Sequence, residues 1–316
     1  MRALSRILCP LLTVIVAATA AADVPIDTNN QGSRPGQAVK TRLQVGVAIQ
    51  SGALPCQAVL ATVPVPINWP EQQIRVLREE ATPGVRVTFR KVTPEVNQMV
   101  VRIPVLPAGQ EAHAVMTLEI ERAPLLEPTD PSVLKMPERL TRELRLYLGS
   151  SPGIESRHRQ LRLHAAEIFK EHAGASDWEK IEALYDWTRE KVEYRNGAFK
   201  GAMAALKDGY GDCEELSSLF IALCRANGIP ARTVWIENHC YPEFYMEDDE
   251  GVGHWIPCEA AGTRAFGSIP HTTPVLQKGD NFNVPEKKQP QRYISEFLSC
   301  QGGRPQVKFI RQEVNE

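Results

Sequence analysis

The sequence lacks a strong excess of charge of either sign. Its 36 Lys and Arg residues are balanced by 38 Asp and Glu residues, and the formal net charge is −2 at pH 7. A nucleic-acid-binding protein presents a basic face to the phosphate backbone, and its binding domain usually carries a clear positive excess. The composition therefore argues against a nucleic-acid partner.

Long hydrophobic runs are also missing, with one exception at the N-terminus. There, Arg2 and Arg6 precede an apolar stretch over residues 7–18, and small residues follow it, which is the pattern of a secretory signal peptide. The run is too short to span a bilayer comfortably. We therefore predict a signal peptide over residues 1–22, a periplasmic or extracellular location, and no membrane insertion after the signal is removed.

Cysteine is too scarce to build a disulfide scaffold, because only seven occur in 316 residues. Six lie beyond the predicted signal peptide, and five of these fall between Cys213 and Cys300. None of them has the C-x-x-C spacing of a zinc knuckle. The clustering therefore needs an explanation other than a fold held together by disulfides.

What the sequence does contain is the composition of a globular protein, with 43% hydrophobic and 23% charged residues in a chain long enough for two domains. Residues 41–122 carry short runs of alternating hydrophobic and polar residues, bounded by Gly, Pro or Asn, which indicates an antiparallel β domain. We predict a flexible tether over residues 23–40, a β-sandwich-like domain over residues 41–128 and a linker over residues 129–149.

The pattern becomes helical from about residue 150 onward. Apolar residues recur at helical spacing, and Ser176 with Glu179 forms a capping box at the start of a helix. We predict that this second domain covers residues 150–300 and that residues 301–316 form a C-terminal tail. Lys278 and the basic residues that follow it are expected to be exposed to solvent.

The stretch GDCEELSSLF, residues 211–220, places a cysteine at the start of an amphipathic helix. Asp212 is a good N-cap residue and Glu215 completes a capping box, so Cys213 occupies the first helical position. Unpaired backbone N–H groups and the positive end of the helix dipole favour the thiolate there. Neighbouring glutamates oppose this effect, so a nucleophilic Cys213 also needs a histidine as base.

Three strand-like segments follow this helix. They are residues 231–237, 239–247 and 253–260. A thiol nucleophile needs a histidine that carries the proton and an acid that fixes the tautomer of that histidine. Pairing the last two segments about a turn centred near Asp249 brings His239 opposite Glu259, whereas His254 lies five positions from Glu259 and would point to the other face. We therefore predict that Cys213, His239 and Glu259 form the site.

The same register leaves the state of two further cysteines open. It would place Cys240 opposite Cys258 on the other face of the hairpin, where a cross-strand disulfide is one alternative. A zinc site is a second alternative. Its ligands would be Cys224, Cys240, His254 and Cys258.

The segments GDCEELSSLFIALCRANGIPARTVW, HCYPEF and GHWIPCEAAG resemble the bacterial transglutaminase-like superfamily. The resemblance covers residues 165–262, extends to about residue 286, and leaves the β domain out. It implies a papain-like α+β fold in which a core helix packs on an antiparallel sheet, with Cys213 as the nucleophile and His239 as the general base. Glu259 stands where this superfamily usually has an aspartate.

The resemblance also implies a chemistry. We expect an exported cysteine enzyme that acts on amide or peptide carbonyls through a thioester, by transfer to an amine or by hydrolysis, with no cofactor or metal. Its partner would be a protein or peptide substrate, or a cell-envelope polymer. The backbone N–H of Cys213 would stabilise the oxyanion, and Tyr194 and Asn196 are candidates for the second donor. The alternative is a catalytically inactive module that binds a peptide or a cell-envelope polymer.

Overall fold

The computed structural model describes residues 31–314, so the predicted signal peptide lies outside the described part of the chain. The strands are β1 (Arg34–Pro35), β2 (Val39–Gln50), β3 (Cys56–Val65), β4 (Gln72–Ala81), β5 (Arg86–Thr93), β6 (Val96–Leu106), β7 (Glu111–Arg122), β8 (Leu125–Leu126), β9 (Glu193–Tyr194), β10 (Tyr210–Gly211), β11 (Ala231–Ile236), β12 (His239–Glu247), β13 (Gly253–Glu259), β14 (Ala265–Phe266), β15 (Gln277–Lys278), β16 (Phe297–Gly302) and β17 (Gln306–Glu313). The α-helices are α1 (Arg142–Arg145), α2 (Arg159–Glu171), α3 (Asp177–Lys191), α4 (Ala202–Asp208) and α5 (Cys213–Ala226). Within the described range, no helix is both long and apolar enough to cross a membrane.

Eight strands form a β-sandwich of two four-stranded antiparallel sheets, ordered β16-β3-β6-β5 and β17-β2-β7-β4. Strand β7 shows why these residues form a sheet with one buried face. Ala114, Met116 and Leu118 alternate along it and are buried, and they share a core with Val47 of the same sheet and Val101 of the other. This is the β-sandwich-like domain that the alternating pattern predicts.

Two strands of the sandwich come from the C-terminal end of the chain. Strand β16 begins inside the second domain predicted over residues 150–300, and β17 lies in the predicted tail. Strand β17 pairs with β2 from Gln306 opposite Gln50 to Glu313 opposite Leu43, and β16 pairs with β3. The prediction of a tail over residues 301–316 is therefore wrong for most of its length. Strand β17 is a sheet edge with no fully buried residue, so it has no clear hydrophobic alternation that the sequence could reveal.

The end of the expected tether is also packed against the protein. Strand β1 pairs with β8, and the buried Ser33 donates a hydrogen bond from its hydroxyl to the carbonyl of Gly267 at 2.8 Å. The flexible segment predicted over residues 23–40 therefore does not extend through its last residues.

The second domain places α5 against a five-stranded antiparallel sheet of order β14-β13-β12-β11-β15. Residues 215–225 of α5 are all buried, because helices α2, α3 and α4 cover it on the sides that the sheet does not. Phe220 of this helix packs edge-to-face on Tyr185 of α3 and on Phe244 of β12. The result is an α+β domain with one central helix, as the sequence predicts.

A buried ionic group joins the two domains. The ammonium of Lys278 lies 2.7 Å from Glu71 of the sandwich side and 2.6 Å from Glu243 of β12, and all three side chains are almost fully buried. Arg232 of β11 pairs with the other oxygen of Glu243 at 3.0 Å. The expectation that Lys278 is exposed to solvent is wrong, because its partners are distant in sequence and meet it only in the folded chain.

Candidate active site

Cys213 is the first residue of α5, as the capping pattern predicts. The carboxylate of Asp212 accepts a hydrogen bond from the backbone N–H of Glu214 at 2.9 Å, and Glu215 accepts one from the N–H of Asp212 at 3.0 Å. These two bonds set the start of the helix at Cys213. Cys213 is only partly buried, whereas Cys224 on the same helix is completely buried.

His239 begins strand β12 and points its ring at the end of strand β13. Its Nε2 atom lies 3.0 Å from one carboxylate oxygen of Glu259 and 3.2 Å from the other. A carboxylate accepts hydrogen bonds, so Nε2 is the protonated nitrogen and donates to Glu259. In the neutral ring this leaves Nδ1 as the basic nitrogen, available to the thiol of Cys213.

Electrostatics favour a thiolate–imidazolium pair at this position. Hydrogen bonds from Cys240 and from His239 outweigh burial and lower the pKa of Cys213 to about 5. Burial would lower the pKa of His239, but its hydrogen bonds to Cys213 and Glu259 outweigh that effect and raise the pKa to about 10. Between these two values the sulfur is negative and the imidazole is positive, which is the activated state of a cysteine nucleophile.

The hairpin that brings His239 and Glu259 together has a different register from the predicted one. Glu243 pairs with Pro257, so the same register continued would place Glu259 opposite Tyr241 and not opposite His239. A shift by two residues keeps Glu259 on the predicted face, because side chains alternate with a period of two. Glu259 therefore reaches His239 diagonally, a distance that the longer side chain of glutamate can cover.

His271 is a member of the site that the sequence analysis missed. Its Nε2 atom lies 2.7 Å from Glu259 Oε2, closer than the Nε2 of His239. The backbone N–H of Ala261 donates to the other oxygen, Oε1, at 3.1 Å. His271 lies in the irregular segment between β14 and β15, where no periodic pattern marks a position as facing the site.

Side chains of helix α3 hydrogen-bond to the backbone at the end of strand β13. The backbone carbonyl of Glu259 accepts hydrogen bonds from the hydroxyl of Tyr185 at 2.6 Å and from the guanidinium of Arg189 at 3.2 Å. Arg189 also donates to the carbonyls of Ala260 and Gly262, at 2.9 and 2.7 Å. These contacts fix the backbone from which Glu259 extends.

The metal-binding capacity of the described residues is concentrated at the same place. The ligand atoms of His239, Glu259 and His271 lie within 4.8 Å of one another. Hydrogen bonds already join the Glu259 carboxylate to the Nε2 atoms of both imidazoles, so these ligand atoms have partners without a metal. The zinc site considered in the sequence analysis would use other ligands, namely Cys224, Cys240, His254 and Cys258. In the structure, Nε2 of His254 contacts Asp248 at 2.7 Å.

The six cysteines beyond the predicted signal peptide are all free thiols. The disulfide considered between Cys240 and Cys258 is therefore absent, and the register that would place them opposite each other does not occur. Cys258 is buried in the core under the sheet with Cys224. Cys240 is buried beside Cys213 and contacts Ser217 of the same helix.

A cavity of about 370 Å³ opens beside the histidine. Val192 and Leu216 contribute apolar surface to it, and Tyr194 and Arg189 stand with His239 among the residues that line it. The hydroxyl of Tyr194 donates to the side-chain oxygen of Asn196 at 3.0 Å, and both side chains are exposed. Their role as oxyanion donors stays a prediction. The backbone N–H of Cys213 has no hydrogen-bond partner among the described residues and remains available to an oxyanion.

Comparisons with known proteins agree with this description. Residues 165–260 match the family model described as the Transglutaminase-like superfamily. The chain therefore carries a transglutaminase-like domain, which contains the helix of Cys213 and the hairpin of His239 and Glu259. No curated protein matches the chain significantly.

Among solved structures, one match is similar in fold and a second match is weak. One is described as a "putative cysteine protease" from Cytophaga hutchinsonii, with 17% sequence identity and a TM-score of 0.54, over 90% of this chain and 93% of that chain. The other is described as a "putative protease" from Parabacteroides distasonis, with 13% identity and a TM-score of 0.28, over 76% of this chain and 49% of that chain. The first similarity covers 90% of this chain, so it extends over both domains and shows that a similar two-domain fold occurs in another protein.

Proposed function

We propose that this protein is an exported cysteine enzyme that acts on amide or peptide carbonyls through a thioester intermediate. The observation that carries the proposal is the hydrogen-bonded series from Cys213 through His239 to Glu259, in which the pKa of the thiol is lowered to about 5. A structural cysteine has no need of an imidazole partner and is usually buried and neutral, as Cys224 is.

The first half of the proposed reaction forms the thioester. The Cys213 thiolate attacks the carbonyl carbon, and the negative charge moves to the carbonyl oxygen, which the backbone N–H of Cys213 stabilises. The carbon–nitrogen bond then breaks as His239 donates its Nδ1 proton to the departing amine. The products of this half are a free amine, a neutral histidine and an acyl group on Cys213.

The second half returns the enzyme to its starting state. Neutral His239 takes a proton from water or from a primary amine, which attacks the thioester carbon while the carbon–sulfur bond breaks. The thiolate and the imidazolium are restored, and the product is a carboxylic acid or a new amide. Glu259 remains ionised and holds the ring so that Nδ1 faces the sulfur.

The cavity beside His239 is the proposed binding site for part of the acyl donor. Its volume of about 370 Å³ suits one or two residues of a peptide. Apolar surface from Val192 and Leu216 would bury a side chain, and the exposed ring of Tyr194 would cover it. A protein or peptide substrate fits this open groove, and a cell-envelope polymer with peptide bonds has the same reactive group.

The test measures hydrolysis and transfer separately. The mature protein is incubated with fluorescein-labelled casein for hydrolysis, and with dimethylated casein plus a fluorescent primary amine for transfer. We expect at least one product with the wild type, none with Cys213→Ser, and full activity with His113→Gln, a control on the sandwich. Labelling of Cys213 by iodoacetate is measured in parallel by mass spectrometry.

The same experiment separates the enzyme from the inactive binding module. If neither probe reacts, and Cys213 is alkylated no faster than the buried Cys224 at neutral pH, the enzyme proposal is wrong. A module that binds a peptide or a cell-envelope polymer without turnover would then be the better description.

A further inference from the structure

We propose that His271 is a positioning residue that holds the carboxylate of Glu259 against His239, and that the β-sandwich domain holds His271 in place. This inference rests on the proposed function, because it assigns a fourth residue to the same site. His271 does not face the reacting sulfur through any described contact, and its hydrogen-bond partner in the site is Glu259.

The need for such a residue follows from the glutamate. Compared with the aspartate usual in the superfamily, Glu259 has one more rotatable bond, so its carboxylate must be held on more than one side to keep a single orientation. Besides His239, which contacts both oxygens, the structure supplies one further donor to each oxygen. The N–H of Ala261 contacts Oε1 at 3.1 Å, and Nε2 of His271 contacts Oε2 at 2.7 Å. The hydrogen bond from His271 to Oε2 is shorter than the 3.0 Å hydrogen bond from His239 to the same oxygen.

The orientation of the His271 ring is itself determined by its neighbours. It lies at 28° to the ring of Tyr241 with 6.4 Å between centroids, and it meets the ring of His239 at 67° and 5.1 Å. Tyr241 is completely buried, and its hydroxyl accepts a hydrogen bond from Arg122 of the sandwich at 3.1 Å. Burial and this hydrogen bond restrain the ring of Tyr241, and with it the face that the ring offers to His271.

The segment that carries His271 is hydrogen-bonded to the sandwich domain both before and after the histidine. Before it, Ile269 and Leu125 exchange two backbone hydrogen bonds of 2.8 and 2.9 Å. After it, the buried side chain of Gln72 accepts from the N–H of Val275 at 2.7 Å and donates to the carbonyl of the same residue at 3.0 Å. The five residues between these anchors leave little freedom for the chain at His271.

A positioning role predicts a specific pattern among variants. His271→Leu removes the donor, whereas His271→Gln keeps an N–H group that can reach Oε2. His113→Gln is the matched control, because His113 is an exposed histidine of the sandwich with a hydrogen bond to Thr82. The variants are made in the full chain, because the segment belongs to the second domain and the residues that anchor it, Leu125 and Gln72, belong to the sandwich domain.

The first measurement is the pH dependence of iodoacetate alkylation at Cys213, which needs no substrate. Alkylation is fastest where thiolate and imidazolium coexist, since the cation attracts the anionic reagent. In His271→Leu the Glu259 carboxylate keeps only the N–H of Ala261 as a further donor, so the imidazolium of His239 loses part of its stabilisation. We expect the upper limb of the profile to move down by about half a pH unit or more in His271→Leu, and to stay in place in His271→Gln and His113→Gln.

The second measurement is turnover of the labelled casein. We expect kcat to fall about tenfold in His271→Leu, because misplacement of a catalytic group is costly, with KM unchanged and with recovery in His271→Gln. A wild-type alkylation profile in His271→Leu would overturn the proposal. The proposal would also be overturned if a chelator changed the alkylation profile of the wild type in the same way as His271→Leu does, because His271 would then be a metal ligand. If no form turns over casein, the proposed function fails, but the alkylation profile still decides the role of His271.

Discussion

The thiol of Cys240 hydrogen-bonds to the sulfur of Cys213, and this contact separates the acidities of the two cysteines. It is the largest of the contributions that, together with the hydrogen bond from His239, lower the pKa of Cys213 to about 5. The same contact and burial raise the pKa of Cys240 well above its usual value. At neutral pH, one sulfur is therefore a thiolate and the other a neutral S–H donor. The site therefore contains two adjacent thiols of which only Cys213 is ionised, as the proposed nucleophile must be.

The first prediction concerns the reactivity of Cys213 as a function of pH. The pKa of Cys213 is lowered to about 5, so the thiolate forms as the pH rises through that value, and the pKa of His239 is raised to about 10, so the imidazolium is lost above it. We expect iodoacetate to alkylate Cys213 with a broad maximum between these limits, measured by mass spectrometry of the peptide. Cys224 is the internal control, because burial raises its pKa and its sulfur is inaccessible. A rise near the pKa of a free thiol, about 8.5, would contradict this assignment.

The second prediction concerns the donor thiol. Cys240→Ala removes the hydrogen bond that contributes most to the acidity of Cys213, so we expect the lower limb of the alkylation profile to move up by about one pH unit. Cys258→Ala is the matched control, because Cys258 is an equally buried cysteine on the neighbouring strand with no contact to Cys213. Equal profiles for the two variants would remove Cys240 from the activation of the nucleophile.

The third prediction concerns the carboxylate. Glu259→Gln keeps the length of the side chain but removes the charge that stabilises the imidazolium of His239, so kcat should fall about tenfold to a hundredfold. Glu259→Asp keeps the charge but shortens the reach along the diagonal of the hairpin, and it should also reduce kcat. Glu167→Gln, an exposed residue of helix α2 that does not line the cavity, serves as the control. Full activity in Glu259→Gln would show that the histidine is held by other groups.

The fourth prediction concerns stability. Lys278→Met removes the ammonium that lies 2.7 Å from Glu71 and 2.6 Å from Glu243, and among the described ion pairs it leaves the buried carboxylate of Glu243 with Arg232 alone. Removing one member of a buried ionic group costs about 3–5 kcal/mol, so the midpoint of unfolding in urea should fall clearly. Lys40→Met, at an exposed ion pair with Glu121, should change stability by less than about 0.5 kcal/mol. Equal midpoints for the two variants would show that the buried group contributes nothing to joining the domains.

Local signals in the sequence were sufficient for the elements that carry the predicted site. Asp212 and Glu215 mark the start of helix α5, and Ser176 and Glu179 mark the start of α3, through hydrogen bonds that span only three residues. The three strands after α5 end within one residue of their predicted limits. The position of Cys213 at the first residue of a buried helix therefore followed from its immediate neighbours.

Tertiary structure decided how distant parts of the chain meet. Four features of the structure join residues that no local pattern connects. They are the register that sets Glu259 diagonal to His239, the contact of His271 with Glu259, the position of Lys278 between two carboxylates, and the pairing of β17 with β2. Caps and alternation report on residues a few positions apart, because they arise from hydrogen bonds and faces within one element. Contacts between elements depend on the packing of the whole core, which requires every element to be placed at once.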